Sequence, residues 1–246
     1  MNRHWRAAVG TVLLLGCVVV VVAAAATADR GRPARAAKPR LFPARAAKPR
    51  LLPAPYIVQS PIPFPQARKN QMRQYALANY GIDTWRMPHP HLIIWHYTDS
   101  ATYSSVWNTF AQDVPDVEYH LLPQVCAHFV ITTHGTIHQL VPLDIMCRQV
   151  VGLDYTSIGI ENVGFSDQQV MGDARQYHAA LTLTRWLHCR FDIPVKNVIG
   201  HNESLQSPYY RERIASLRGQ THSDFDHHDM DIVRAAVRRL PCRASR

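Results

Sequence analysis

The sequence predicts one α/β domain, a central mixed β-sheet flanked by α-helices, and three observations carry that expectation. Short apolar runs alternate with segments of helical periodicity from about residue 66 onward. Several of the runs, "HLIIWHY" (91–97), "SIGIENVG" (157–164) and "NVIGH" (197–201), are largely apolar without alternation, as strands covered on both faces are. A further stretch, "AHFVITTHGTIHQLVPL" (127–143), reads as two strands about a His-Gly turn, so the sheet is expected to include a hairpin.

The elements follow in order. "QARKNQMRQYALANYG" places Met72, Ala76 and Tyr80 on one helical face and ends on Gly81, a helix stop. The strand "HLIIWHY" comes next, then a short helix near 104–110, then the hairpin and the strand "SIGIENVG". Ala180, Leu183, Trp186 and Leu187 mark an amphipathic helix over about 173–190, and "NVIGH" is the next strand. The last helix is expected to start near Asp231, with Ile232, Val233, Ala236, Val237 and Leu240 on one face before Pro241. Its early acid and late Arg238 and Arg239 suit the helix dipole.

The formal charge of +9 has one source. Residues 1–55 carry ten Lys/Arg against one acid, Asp29, and the rest of the chain is balanced. The basic character therefore marks an N-terminal segment and gives no reason to expect a nucleic-acid groove on the folded part. Residues 1–28 read as an export signal: Arg3, His4 and Arg6, an apolar run from Ala7 to Ala26, and a small-residue site at Ala26-Thr27-Ala28. The run is also long enough to serve as a retained anchor, and Cys17 in "LLGC" leaves lipidation open. Each route puts the folded part outside the cytoplasm, secreted or associated with the cell envelope. Residues 29–65 read as a Pro/Ala/Arg-rich spacer containing a ten-residue tandem repeat, "PARAAKPRLF" then "PARAAKPRLL". Its charge suits anionic wall polymers or a membrane surface, and a solvated tether explains it as well. The domain proper is expected over 66–246.

Four cysteines lie beyond Cys17, an even number in an exported chain, which suggests disulfides. Cys126 and Cys147 bracket the hairpin and are expected to pair, leaving Cys189 with Cys242; free buried thiols are the alternative.

Two strands end on a histidine, His96 in "LIIWHYTDS" and His201 in "VIGHNES". One such residue is ordinarily a hydrogen-bonded core histidine; two at comparable strand ends invite a metal. No HExxH or CxxC occurs, so a site would be assembled from distant strand ends and loops. A third ligand would come from "THSDFDHHDM" (221–230), although a polar turn capping the last helix would look alike.

In this order, "LIIWHYTDS", "AHFVITTHGTIHQLVP", "SIGIENVG" and "VIGHNE" resemble the type 2 N-acetylmuramoyl-L-alanine amidases, the zinc amidase and peptidoglycan recognition protein superfamily. The likeness runs from about Pro88 to Ile232, with His134 where the family's hairpin usually has Asp. It implies one catalytic Zn2+ held by His96, His201 and, in "HSDF", Asp224, with His222 as the alternative third ligand. Glu161 matches the catalytic glutamate, and His222 stands where a lysine is common, as the group that would polarise the carbonyl. The loop from His201 to Asp224 is longer than the family's, through the insertion "SLQSPYYRERIASLRGQ" (204–220).

The expected activity is zinc-dependent hydrolysis of the amide between N-acetylmuramic acid and L-alanine of peptidoglycan, with muropeptides or the polymer as partner. A binding module of the same fold that does not cleave, and a zinc-stabilised structural protein, are the alternatives. His128 is expected either to line the site or to be a buried structural residue. Asn202 and Glu203 would orient His201 or face solvent. Tyr209 and Arg211, with Tyr210 and Arg213, would wall the substrate cleft, or else belong to a short surface helix beginning at Pro208. His227 and His228 are expected in a solvated turn.

Overall fold

A computed structural model of the chain describes residues 52–242. The export signal, Cys17 and the tandem repeat up to residue 51 lie outside the described residues. The strands are β1 (Val58–Gln59), β2 (Leu92–Tyr97), β3 (Phe129–Ile131), β4 (Ile137–Gln139), β5 (Ser157–Asn162) and β6 (Val198–Gly200). The helices are α1 (Gln66–Tyr80), α2 (Tyr103–Ala111), α3 (Asp167–Gly172), α4 (Ala174–Phe191) and α5 (His227–Arg238).

The six strands form one sheet in the order β1-β4-β3-β5-β2-β6. Only β3 and β4 pair antiparallel, through the expected hairpin; the other neighbours are parallel, so the sheet is mixed. Ile93 and Trp95 of β2, Ile158 and Ile160 of β5, and Val198 of β6 belong to the main core, with Ala180, Leu183 and Leu187 of α4 and Val233 and Val237 of α5. Trp95 is fully buried, and its indole N–H donates to Thr184 Oγ1 on α4 at 2.9 Å, so the largest core side chain leaves no orphaned donor. Leu92 and Ile94 take the other face and pack with Val150, Leu153 and Ile199. Because side chains alternate along a strand, His96 shares this second face with Leu92 and Ile94.

Three details depart from expectation. The spacer was expected to reach about Pro65, yet Val58 and Gln59 add a strand to the sheet edge, and Ser60 and Ile62 continue the pairing through N–H bonds to Gln139 and Leu140. Val58, Ile62 and Phe64 share one parity of this proline-rich stretch, broken at Ser60, which is compatible with an edge strand that needs only one bonded side. The last helix starts at His227, four residues before Asp231, because Asp226 caps it by accepting from the Asp229 N–H at 2.9 Å. His227 and His228 therefore sit in its first turn rather than in a loop. No helix begins at Pro208; the insertion is irregular apart from the end of a 3-10 helix, His201–Gln206, and one 3-10 turn, Ala215–Leu217.

Both cysteine pairs are bonded as expected, Cys126–Cys147 and Cys189–Cys242. Among the described residues no helix is long and apolar enough to cross a membrane.

Candidate metal centre

Strands β5, β2 and β6 are adjacent and parallel, so their C-terminal ends open at the same edge, where ligands bind in sheets of this kind. His96 and Glu161 are direct partners in the β2–β5 register, and His201 follows the last residue of β6. The sequence spacing of these three residues is large; the parallel register removes it.

Asp224 is carried to the same place by a loop held at several points. The Phe225 and Asp226 N–H groups donate to the Asp167 carboxylate at 2.9 and 3.2 Å, and the Asn202 N–H donates to the Asp224 carbonyl at 3.0 Å. Phe225 buries its ring against Trp95, with the backbone at φ 54°. Its carbonyl passes so close to Gly200 that a Cβ there would collide with it. The glycine of "VIGHN" is thus required by the loop that delivers Asp224.

The result is a convergence of three donors. His96 Nδ1 lies 3.0 Å from Asp224 Oδ2 and 3.2 Å from His201 Nδ1, and His201 Nδ1 lies 3.5 Å from Asp224 Oδ1. All three residues are buried. Four-coordinate zinc with bonds of ~2.05 Å has ligand–ligand edges of about 3.3 Å, which these separations bracket. Two imidazole nitrogens and a carboxylate oxygen are also the donor types zinc takes, so the residues fit the ion. His222 is not in the converging set. Its ring stacks on His201 with centroids 4.5 Å apart, and its Nε2 meets Glu118 Oε2 at 3.0 Å.

The electrostatics suit ligation. Burial, reinforced by the neighbouring His96, pushes His201 down to about 3, so its ring is neutral with a free lone pair. Burial opposes ionisation of Asp224, but its hydrogen bond and attraction to His96 outweigh that and hold its pKa below the ordinary value. For His96 the order of effects is similar: burial lowers its pKa, and Asp224 and Glu161 more than restore it.

Glu161 stands beside the cluster. Burial raises its carboxyl to about 7, with attraction to His96 pulling down and repulsion from Asp224 pushing up. Its Oε2 is enclosed and has no hydrogen-bond partner. Glu161 and His222 line one cleft of about 420 Å³ with Tyr97, Asp99, Ser105 and Thr109 among its other walls.

The remaining sequence candidates lie elsewhere. His128 is fully buried; its Nε2 donates to the Ile145 carbonyl at 3.0 Å and its Nδ1 accepts from the Gly159 N–H at 3.1 Å. Both ring nitrogens are used, and burial lowers its pKa to about 4, so it is a neutral structural residue. The Asn202 side chain faces a different cavity of about 430 Å³, beside Lys196 and Arg238. Glu203 does not touch His201: it accepts from the Gly200 N–H and forms a two-pronged pair with Arg234 of α5 at 2.7 and 3.0 Å. Tyr209 stacks on His91, just before β2, and Arg211 lies over the Tyr155 ring. Tyr209 thus packs at the N-terminal end of β2 and Arg211 at that of β5, the edge opposite His96 and His201. Sequence reasoning missed Asp167, Gly200 and Glu118, which act by position and carry no motif.

Fold and cluster together define a mixed α/β protein with a candidate hydrolytic centre at the carboxyl edge of its sheet. The chain belongs to the N-acetylmuramoyl-L-alanine amidase family, whose model matches residues 86–223 and so includes His96, Glu161, His201 and His222. No curated protein matches the chain. Among solved structures, the amidase LysC from Clostridium intestinale is 16% identical, with 75% of this chain and 99% of that one covered and a TM-score of 0.46. A mutant endolysin from Bacillus subtilis is 19% identical, covering 74% and 98%, with a TM-score of 0.43. The amidase AmiD from E. coli, in complex with an anhydro-muropeptide, is 23% identical, covering 51% and 55%, with a TM-score of 0.37.

Proposed function

We propose that this protein is a zinc-dependent hydrolase that cleaves the amide between N-acetylmuramic acid and L-alanine of peptidoglycan. The observation that carries the reading is the approach of His96 Nδ1, His201 Nδ1 and the Asp224 carboxylate to 3.0–3.5 Å of one another, beside the unpartnered Glu161 Oε2. Family membership supplies the bond that is cut.

His96, His201 and Asp224 would hold the ion, leaving one position open. When bound, zinc would supply Lewis acidity at the scissile carbonyl and bring a water's pKa to about 7. Glu161 is the general base: Oε2 takes a proton from the attacking water and returns it to the alanine nitrogen as the C–N bond breaks. In the metal-free protein burial raises this carboxyl to about 7, towards the range in which one group both accepts and donates at neutral pH. His222, whose Nε2 is held by the Glu118 carboxylate at 3.0 Å, donates to the oxyanion that develops on the carbonyl. The open cleft between Glu161 and the start of α2 receives the muramyl-peptide.

Two disulfides and the apolar N-terminal sequence support an exported protein acting in the cell envelope, where the polymer lies. The purified, zinc-loaded protein on a defined muramyl-peptide tests the reading: newly freed L-alanine amino termini are expected. Tight muropeptide binding with no such release would instead make it a recognition module.

A further inference from the structure

Gln149 takes no part in the chemistry described so far, yet it is held with unusual care. The preceding Arg148 guanidinium is bound by Asp116 and by the Pro123 carbonyl at 2.7 Å. The N–H groups of Gln149 and Val150 both donate to Asp154 Oδ1, at 2.7 and 2.8 Å. Asp154 Oδ2 in turn accepts from the buried Tyr75 and Tyr80 hydroxyls. The backbone at 149 is therefore fixed independently of its side chain.

The side chain lies along the face of β5 that carries Ser157, Gly159 and Glu161. Nε2 donates to the Ser157 carbonyl and to its Oγ, each at 3.1 Å. A carbonyl only accepts, so the NH2 group occupies this end and the amide oxygen points away from it. That oxygen fills the place of a side chain at Gly159: any Cβ there would collide with it. Glu161, two residues further on the same face, is the register partner of His96, so His96 lies diagonally across the β2–β5 pair from the Gly159 position that the oxygen fills.

Three enclosed atoms on this face have no hydrogen-bond partner: Glu161 Oε2, assigned above to the attacking water, and the pair His96 Nε2 and Gln149 Oε1, which are not bonded to each other. Buried polar atoms are rarely orphaned in native proteins, and the last two are complementary. We propose that Gln149 is the positioning residue for His96: in the zinc-loaded protein its amide oxygen accepts the Nε2–H, fixing the tautomer whose Nδ1 lone pair faces His201 and Asp224. Gly159 is glycine so that the carboxamide can reach. The inference rests on the zinc reading above and adds a residue to it. Ligating histidines are generally oriented this way through their second nitrogen, and loss of such a partner weakens metal binding 10–100-fold.

The test is the zinc dissociation constant of the full chain, by competition with a chromophoric chelator, for wild type, Gln149→Leu and Gly159→Ala. The first variant removes the acceptor, and the second displaces it with residue 149 intact. Both are expected to bind zinc about 10–100-fold more weakly. Long-range 15N–1H spectra of zinc-loaded wild type are expected to show His96 protonated at Nε2, with slow exchange, and this readout does not depend on either variant folding. Variants that bind zinc as tightly as wild type, or a His96 protonated at Nδ1, would overturn the assignment. Failure of the wild type to bind zinc would overturn the functional reading as well, and is seen without any variant.

Discussion

Replacing Glu161 with glutamine should make the metal-free protein more stable at alkaline pH while abolishing turnover. The carboxyl titrates near 4.5 when exposed and near 7 in the fold, chiefly because it is buried. Below pH 4.5 it is protonated whether the chain is folded or unfolded, and contributes no difference. Between 4.5 and 7 the unfolded chain releases the proton and the folded chain keeps it, so stability falls as pH rises. Above 7 the loss is complete. A shift of about 2.5 units at 1.36 kcal/mol each gives a penalty of up to ~3 kcal/mol. Glutamine carries no such charge, so urea midpoints in the presence of a chelator should separate progressively from pH 4 to pH 8, the variant gaining up to ~3 kcal/mol relative to wild type. Parallel profiles, with a gap that changes by less than about 0.5 kcal/mol over that range, would show that Glu161 ionises as an ordinary carboxylate and remove the basis of its assignment as base. A variant that gained the stability yet kept wild-type turnover would leave the burial argument intact and take Glu161 out of the reaction.

Other substitutions separate the roles at the centre. Asp224→Ala is expected to lose zinc in a chelator competition, whereas His222→Ala should keep it and lose turnover by about 10²–10³, the usual cost of one oxyanion donor; the reverse pattern would make His222 the third ligand. Gly200→Ala forces the Phe225 carbonyl away, so it should destabilise the fold by about 1–3 kcal/mol in urea and weaken zinc binding as Asp224 moves with it. An unchanged zinc affinity there would mean the Asp224 loop is not held by that close approach. Tyr209→Ala should cost about 2 kcal/mol of stability through the lost packing on His91 and leave kcat/KM unaltered. A drop in kcat/KM at equal zinc occupancy would return the insertion to the substrate cleft.

The fold was largely legible because its strands are short, apolar and punctuated, and its long helices carry clear periodicity. What escaped depended on partners far away in sequence. Val58 and Gln59 form a strand only because the edge of β4 is there to receive them. The start of α5 was placed too late because Ile232 opens the apolar pattern, whereas the cap that sets the boundary is Asp226. At the centre, His96 and His201 stand out because each closes or follows an apolar run, whereas Glu161 is singled out only by the family resemblance of "SIGIENVG". Gly200 and Asp167 position Asp224 through a close backbone contact and two N–H bonds, and neither leaves a motif. Tyr209 and Arg211 left two readings open, a cleft wall or a short surface helix, for a related reason. Aromatic and cationic residues suit a sugar cleft and equally suit the stacking on His91 and Tyr155 that they make.

Stoichiometric metal analysis coupled to turnover tests the central claim most directly. The purified protein should bind one zinc ion, release L-alanine amino termini from a muramyl-peptide, fall silent on chelation and recover with added zinc. His96→Ala should do none of these. A protein that binds no zinc, or one whose release of L-alanine persists through chelation and in His96→Ala, would contradict the account.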